Sequence, residues 1–560
     1  MPISILCLSA SLFCALPASI GDSHSSKEWP DSNKEWAVLR DAKSELTARI
    51  QSAQSIAHAS RASGECGKLA AEFIELGLRN QTPQSLRDAL AKCLSECDSE
   101  TARKLVALRI GSGQTFEQMF LLEAAAGLAD EGVDLAVSTK LLEAGDVHVR
   151  TAAIDLLARH RARIAVPRLE AVLHAEKDVE LLPAVVSTIT AIEANTDGWQ
   201  AWQSRLEEYT QSSVDPLRNA ALDELAKDPD SARTQFFSAF LANADWSTRA
   251  IAIEWLTRAR SKPALGLLVQ QLAEERGGTR LHADVLAALE TLTAMPLGDD
   301  AVRWAEWWKA SEASFEFPKT AGPLRTDGAP KRGSPGSATN VVPSFYGVAV
   351  ESRHIVFVVD VSASMEEPMA EQAPSLGAGD TEKPTRLSVA RRELTKIIDD
   401  LPAGAAFNII DFSTGVNAWL VDSSQAESKS LGNRKGAPRT LRVEASPLGK
   451  SKEDLRSVKA DAALRAKAKE YVAHLRASGG TNLFEALERA FEDPLVDTIF
   501  VLSDGQPTHG RETAPAVIRS EVKRWNAVRR IRLHTVAIGL DLEVLKNLAL
   551  DSGGEHRYFR

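Results

Sequence analysis

A nine-residue phrase recurs through the first half of this chain and limits what that half can fold into. It stands at residues 149–157 (VRTAAIDLL), 217–225 (LRNAALDEL) and 248–256 (TRAIAIEWL), with fainter copies at 182–189 (LPAVVSTI) and 282–289 (HADVLAAL). Steps between equivalent positions are roughly 34, 34, 31 and 34 residues. Between residues 35 and 311 apolar side chains recur at three and four positions, Ala, Leu, Glu and Arg dominate, and two-residue alternation is almost missing, which predicts helix throughout. A unit of this length is one helix pair. Such a pair cannot bury its apolar face alone, so the units must stack into an α-solenoid.

The phrases resemble HEAT repeats, in which an Asp or Asn precedes the first helix and an Arg follows. Asp146 stands before Arg150 and Asp245 before Arg249. The resemblance implies a HEAT-like helical repeat domain over residues 35–315. Tetratricopeptide repeats have a similar spacing, but their small and aromatic signature positions are missing. A longer echo joins residues 188–192, followed by Trp199 and Trp202, to residues 291–295, followed by Trp304, Trp307 and Trp308. Large rings at helical spacing are expected to plug a stacked core; an aromatic binding face is the competing reading.

Composition changes abruptly at the end of this region. Residues 316–343 are rich in Pro and Gly and lack apolar periodicity, which marks a linker about which two halves could reorient. The net charge of −10 divides unevenly: residues 1–317 carry 32 basic and 45 acidic side chains, and residues 345–560 carry 30 of each. No long basic run occurs, so a nucleic-acid binder held by phosphate contacts is not expected. At the N-terminus, residues 1–21 read as a signal peptide with a small-residue cleavage site, although no Lys or Arg precedes the apolar run and the first is Lys27. Export to an extracytoplasmic compartment follows from that reading, and no other segment is long and apolar enough to span a bilayer. With Cys7 and Cys14 removed, Cys66, Cys93 and Cys97 remain. A disulfide from Cys66 to Cys93 or to Cys97 and three buried thiols are both compatible with the spacing.

The second half changes period. Residues 354–360 (HIVFVVD), 407–412, 498–503 and 531–538 are continuous runs of strand formers, as expected for strands buried on both faces of a parallel sheet. Amphipathic helices separate them, so residues 344–560 are predicted to form a doubly wound, Rossmann-like α/β domain. In such sheets ligands bind beyond the carboxyl ends of the strands. The first run ends in Asp360-Val361-Ser362-Ala363-Ser364, a later helix is entered through Gly479-Gly480-Thr481-Asn482, and another run ends in Ser503-Asp504-Gly505. Each alone has a structural explanation: Ser and Asp cap helices, Thr481 or Asn482 suits the helix beginning at Leu483, and Asp-Gly makes turns.

Together and in this order, the segments resemble the von Willebrand factor type A family, whose metal-ion-dependent adhesion site has the pattern D-x-S-x-S, then Thr, then Asp. The resemblance extends over residues 345–560 and every liganding position is filled. It implies that Ser362 and Ser364 ligate a metal ion by hydroxyl oxygen, that Thr481 does so in the ligand-bound form, and that Asp360 and Asp504 bind directly or hold coordinated water. Ala363 departs mildly, standing where many members have Gly. An all-oxygen set suits a hard divalent cation, Mg2+ by availability with Mn2+ or Ca2+ as alternatives. A Glu or Asp carboxylate of a partner protein could then complete the coordination.

Enzymatic signatures are missing. There is no Gly-x-Ser-x-Gly elbow and no His-Glu-x-x-His pair, and Gly449-Lys450-Ser451 is not a phosphate-binding loop because position 444 is Glu. His509, five residues after Asp504, is either a rim residue of the site or an exposed loop histidine. The connection over residues 366–384 is long, and residues 429–459 carry nine basic against three acidic side chains, able to steer an acidic partner or simply solvated. The expected function is therefore that of an exported, non-enzymatic binding protein; the alternative is a cytoplasmic type A adaptor for a separate AAA-type ATPase or chelatase.

Overall fold

The computed structural model describes residues 32–175, 179–319, 343–369, 384–402, 404–419, 458–459 and 461–560. The predicted signal peptide with Cys7 and Cys14, the linker apart from its ends, most of the 366–384 connection and nearly all of the basic 429–459 segment lie outside the described residues. The chain forms two compact units, dividing between Leu156 and Leu157.

In the first unit the helices from Ser32–Arg40 onward follow one another through short turns. Arginines fasten these turns: buried Arg49 donates Nε to the Leu39 carbonyl (3.0 Å), and Arg87 reaches the carbonyls of Gly77 (2.9 Å) and Arg79 (3.0 Å). Gly77 is required by packing, since a Cβ there would lie 2.1 Å from the Phe120 ring. Cys66 is bonded to Cys97, with Cα atoms 5.4 Å apart, and Cys93 is left as a buried free thiol pushed up to about 11 by burial. Of the pairings open to the sequence, this one joins the start of the Cys66–Gly77 helix to the turn after the Gln84–Ser95 helix.

The recurring arginine makes one contact in common wherever the phrase is complete. Arg150 donates Nη1 to the carbonyl of Ala144 (2.6 Å), Arg218 to that of Ser212 (3.0 Å) and Arg249 to that of Asn243 (2.7 Å), in each case six residues earlier. The guanidinium thereby satisfies a carbonyl left free where the preceding helix or turn ends. Asp245 completes the pattern as the N-cap of the Trp246–Ala259 helix, accepting from the Ser247 and Thr248 amides. The tryptophan echo is also structural. Trp202 is buried with Nε1 on the Thr190 hydroxyl (3.0 Å), Trp304 is buried with Nε1 on the Gly298 carbonyl (2.8 Å), and Trp308 is buried beside it. These three rings plug the core, whereas Trp199 is exposed and Trp307 half-buried.

The second unit continues with helices to Ala301–Ser311 and then adds a mostly parallel sheet. A hairpin of β1 (Ser344–Phe345) and β2 (Val348–Ala349) turns on Tyr346 and Gly347, both with positive φ (50° and 78°), as a two-residue hairpin turn requires. The main sheet contains β3 (His354–Asp360), β4 (Ala406–Phe412), β5 (Val416–Ala418), β6 (Val458–Lys459), β7 (Thr498–Ser503), β8 (Arg532–Ile538) and β9 (His556–Phe559), in the order β5-β4-β3-β7-β8-β9 with β6 beside β4. β4, β3, β7, β8 and β9 run parallel, and β5 and β6 are antiparallel edges.

Continuous apolar strands make two cores. Ile355, Phe357, Phe500 and Leu502 face the Arg386–Asp400 and Ala462–His474 helices, while Val356, Val358, Ile499 and Val501 face the Leu483–Phe491, Pro515–Arg529 and Glu543–Ser552 helices. Each buried ring or branched side chain contributes about 1.5–3 kcal/mol, so the strand order is enforced from both sides.

The expected freedom of the two halves is not what this unit displays. At the N-terminal ends of the strands, arginines fasten the sheet to the preceding helices. Arg280 donates to the carbonyls of Asp497 (3.0 Å) and Arg530; Arg530 pairs with Asp223 (2.7 Å) and Glu254 (3.2 Å), Arg532 with Asp284 (2.6 Å), and Arg524 with Glu180 (2.7 Å). These helices therefore hold the end of the sheet opposite the carboxyl ends of the strands.

Candidate functional site

At those carboxyl ends the chain leaves β3 through a turn held by its neighbours. The Val361 amide donates to the Phe412 carbonyl (2.8 Å), extending the ladder one step past Asp360. The Ser478 amide reaches the Val361 carbonyl (2.8 Å) and the Ala363 amide reaches the Gly479 carbonyl (3.0 Å), so the turn after β3 and the loop before the Leu483–Phe491 helix are bound to each other. Buried Met365 pins the short 3₁₀ turn that follows. Gly479 takes a left-handed φ of 74°, and a Cβ there would sit 2.4 Å from the Thr414 hydroxyl.

The side chains carried by these turns converge. Asp360 is fully buried; its Oδ1 accepts from the Ser362 amide (2.8 Å) and its Oδ2 from the Ser503 hydroxyl (2.5 Å). The Ser362 and Ser364 hydroxyls are 3.0 Å apart, and both approach Asp504 Oδ1, at 3.5 and 2.8 Å. A Cβ built on Gly505 would lie 3.5 Å from the Thr481 hydroxyl and 3.8 Å from that of Ser364, so these two oxygens flank the same glycine. The helix cap is Asn482, whose side chain accepts from the Glu485 amide, leaving the Thr481 side chain outside that role. Thr481 is instead held by its backbone: its amide donates to the Thr508 hydroxyl (2.9 Å) and its carbonyl accepts from the Thr508 (2.9 Å) and His509 (3.1 Å) amides.

His509 is exposed, beside Gly480. A Cβ on that glycine would meet the imidazole Nδ1 at 1.9 Å. The histidine is thus an exposed residue packed on the loop that carries Thr481.

Two carboxylates, Asp360 and Asp504, are buried together at the site. Burial pushes the Asp360 carboxyl up to about 6, partly opposed by the hydrogen bonds from Ser503 and Ser362, while the Asp504 charge pushes it further. Among the described residues no cluster of three His, Cys, Asp or Glu side chains is placed to hold a metal. The five side chains named here, two carboxylates and three hydroxyls, form a set of oxygen donors only, the chemistry of a hard cation and not of zinc.

Two participants carry no signal in the sequence. Ser503 ends a strand as an ordinary polar residue, and only its 2.5 Å bond to Asp360 reveals its role. Arg386 begins a helix 118 residues from Asp504 and donates Nη1 to Asp504 Oδ2 at 2.8 Å.

Comparison with known proteins relates part of the sheet-bearing region to a known family, with Thr481 and Asp504 but not the 360–364 turn inside the matched family model. Residues 439–558 match the family model described as von Willebrand factor type A domain. Inter alpha-trypsin inhibitor, heavy chain 4 of Mus musculus is 28% identical over 218 residues, which are 36% of this chain and 17% of that protein. Inter-alpha-trypsin inhibitor heavy chain H4 of Homo sapiens is 27% identical over 222 residues, 37% of this chain and 18% of that protein. The chain thus spans less than a fifth of the length of these relatives. Among solved structures, a von Willebrand factor type A protein from Catenulispora acidiphila matches with a TM-score of 0.25 and 20% identity, covering 37% of this chain and 38% of that one.

Proposed function

From a C-terminal region that carries a von Willebrand factor type A domain homologous to inter-alpha-trypsin inhibitor heavy chains, we propose an exported, non-enzymatic binding protein that takes an acidic group of a partner protein at a metal-ion-dependent adhesion site. Ser362, Ser364 and Thr481 hold a divalent cation, Mg2+ by availability, through hydroxyl oxygens, with Asp360 and Asp504 binding directly or through water. The bound ion supplies a coordination position that a partner Glu or Asp carboxylate can fill. The chain's own residues do the rest. Ser503 and the Ser362 amide fix Asp360, the paired turns hold the two serine hydroxyls on Asp504, and the HEAT-like helices act as a scaffold fastened at the opposite end of the sheet.

One observation carries this reading: hydroxyl and carboxylate oxygens from turns 142 residues apart, Ser362 and Asp504, meet within 3.5 Å. Neutral hydroxyls dominate the set, so a dication keeps positive character that an external carboxylate can neutralise.

The test is capture of a partner from extracytoplasmic extract on the full chain, with Mg2+ and with chelator, alongside Asp504→Ala. The expected result is retention in Mg2+ only and none on the variant. Equal retention in chelator would rule out the mechanism, and so would a calorimetric titration of the full chain with no ion binding up to millimolar concentration.

A further inference from the structure

We infer that Arg386 is a built-in cation of this site, which holds Asp504 by its second oxygen and keeps the affinity for a divalent ion low until an acidic ligand arrives. The inference rests on the metal-site reading above and specifies how that site is regulated. The guanidinium is placed firmly. Nη1 donates to Asp504 Oδ2 (2.8 Å) and to the Ser364 carbonyl (3.4 Å), Nη2 pairs with Glu367 (2.8 Å), and the Arg386 amide donates to the Glu367 carbonyl (2.9 Å). Behind it stands Gly539, where a Cβ would lie 2.5 Å from Nη2, so the backbone after β8 is cut away to admit the arginine.

Burial decides what this contact does. The Asp504 side chain is 0% exposed and that of Arg386 15%, whereas Glu367 is 61% exposed and screened by water. The site therefore holds two buried carboxylates, Asp360 and Asp504, and one guanidinium, which is bonded to Asp504. A dication entering there meets a net single negative charge, and its repulsion from the guanidinium acts at short range in a partly desolvated setting. With the ion in place the site remains one positive charge in excess, which is the charge of one partner carboxylate. Ion and acidic ligand should consequently each favour the other's binding, a coupling set by Arg386 and reciprocal by linkage. Arg386 is a positioning residue as well, since it leaves Asp504 Oδ1 turned to the two serine hydroxyls.

The experiment is calorimetric titration of Mn2+ alone into the full chain, its R386Q and R386K variants, and E367Q. R386Q removes the charge and should bind Mn2+ on the order of tenfold more tightly. R386K keeps the charge and should stay within about threefold of the parent. E367Q, at an exposed position that does not threaten folding, should bind about two- to threefold more weakly because the guanidinium loses its outer partner. R386Q equal to or weaker than the parent overturns the inference while leaving the metal site standing. If R386Q does not fold, E367Q binding as tightly as the parent, or more tightly, overturns it. Absence of binding by all four proteins overturns the metal-site reading and this inference with it.

Discussion

Ser503 shows how much a single hydroxyl settles in a buried site. It donates to Asp360 Oδ2 at 2.5 Å, inside the protein. Ser503→Ala leaves one oxygen of a buried carboxylate without its donor, a loss of about 1.5–3 kcal/mol for a hydrogen bond to a charged group. The expected outcome is a roughly tenfold or larger drop in Mn2+ affinity by calorimetry with the sheet intact by circular dichroism. Unaltered affinity would show that Asp360 does not depend on it. Residues of this kind divide the legible from the illegible. Asp360, Ser362, Ser364, Thr481 and Asp504 announce themselves because their types and order match a pattern. Ser503 and Arg386 matter through where their side chains end, and that is decided by strand register and by a helix start far away in the chain.

Helices carry the same lesson. The recurring Arg was visible as a repeat, but not the bond it makes, a donation to the carbonyl six residues earlier at 150, 218 and 249. Asp245 couples two helices: besides capping its own it accepts from Asn219 (3.2 Å) and lies 3.7 Å from Arg218, both on the Asp215–Leu225 helix. Although burial pulls its carboxyl upward, hydrogen bonds from Ser247, Thr248 and Asn219 hold it below the usual range. Asp245→Ala should cost about 1–2 kcal/mol for the cap, with more from the stranded partners. Thermal unfolding of the full chain should register this as a loss of about 1–3 degrees; an unchanged midpoint would show that the cap is redundant. The three- and four-residue spacing in one half and the continuous apolar runs in the other made the change from helices to parallel sheet legible, because burial on one face or two is written in the pattern. The Cys66–Cys97 pairing was not, since Cys93 and Cys97 lie one helical turn apart.

Over the whole molecule, the join between helices and sheet contains a titrating group. His534 on β8 is 7% exposed and stacks on Phe500 (ring centroids 4.8 Å apart), and its Nδ1 accepts from the Glu555 amide (3.1 Å). Burial, then the charges of Arg532 and Arg280, lower its pKa to about 3. The folded protein therefore keeps this imidazole neutral while the unfolded chain takes up a proton near pH 6.5. Its contribution to stability is complete above about pH 6.5 and is lost as pH falls toward 3, by up to about 1.4 kcal/mol per pH unit. His534→Asn, which retains an acceptor, should make the melting temperature fall less steeply between pH 6.5 and 4; parallel curves for parent and variant would contradict this. The arginine clasp around it was invisible in the sequence, where a Pro- and Gly-rich linker suggested a hinge. Composition reports on the connecting chain and says nothing of what the connected surfaces do to each other.

The placement of that clasp has a mechanical consequence. β3 spans seven residues, about 23 Å at some 3.3 Å per residue, with the arginine attachments near its first residue and the oxygen cluster at its last. Any pull applied at the cluster would therefore run lengthwise down the central strands to reach the helices. Pulled along their axes, neighbouring strands must shear many ladder bonds together instead of unzipping one at a time, which is the strong direction for a sheet under tension.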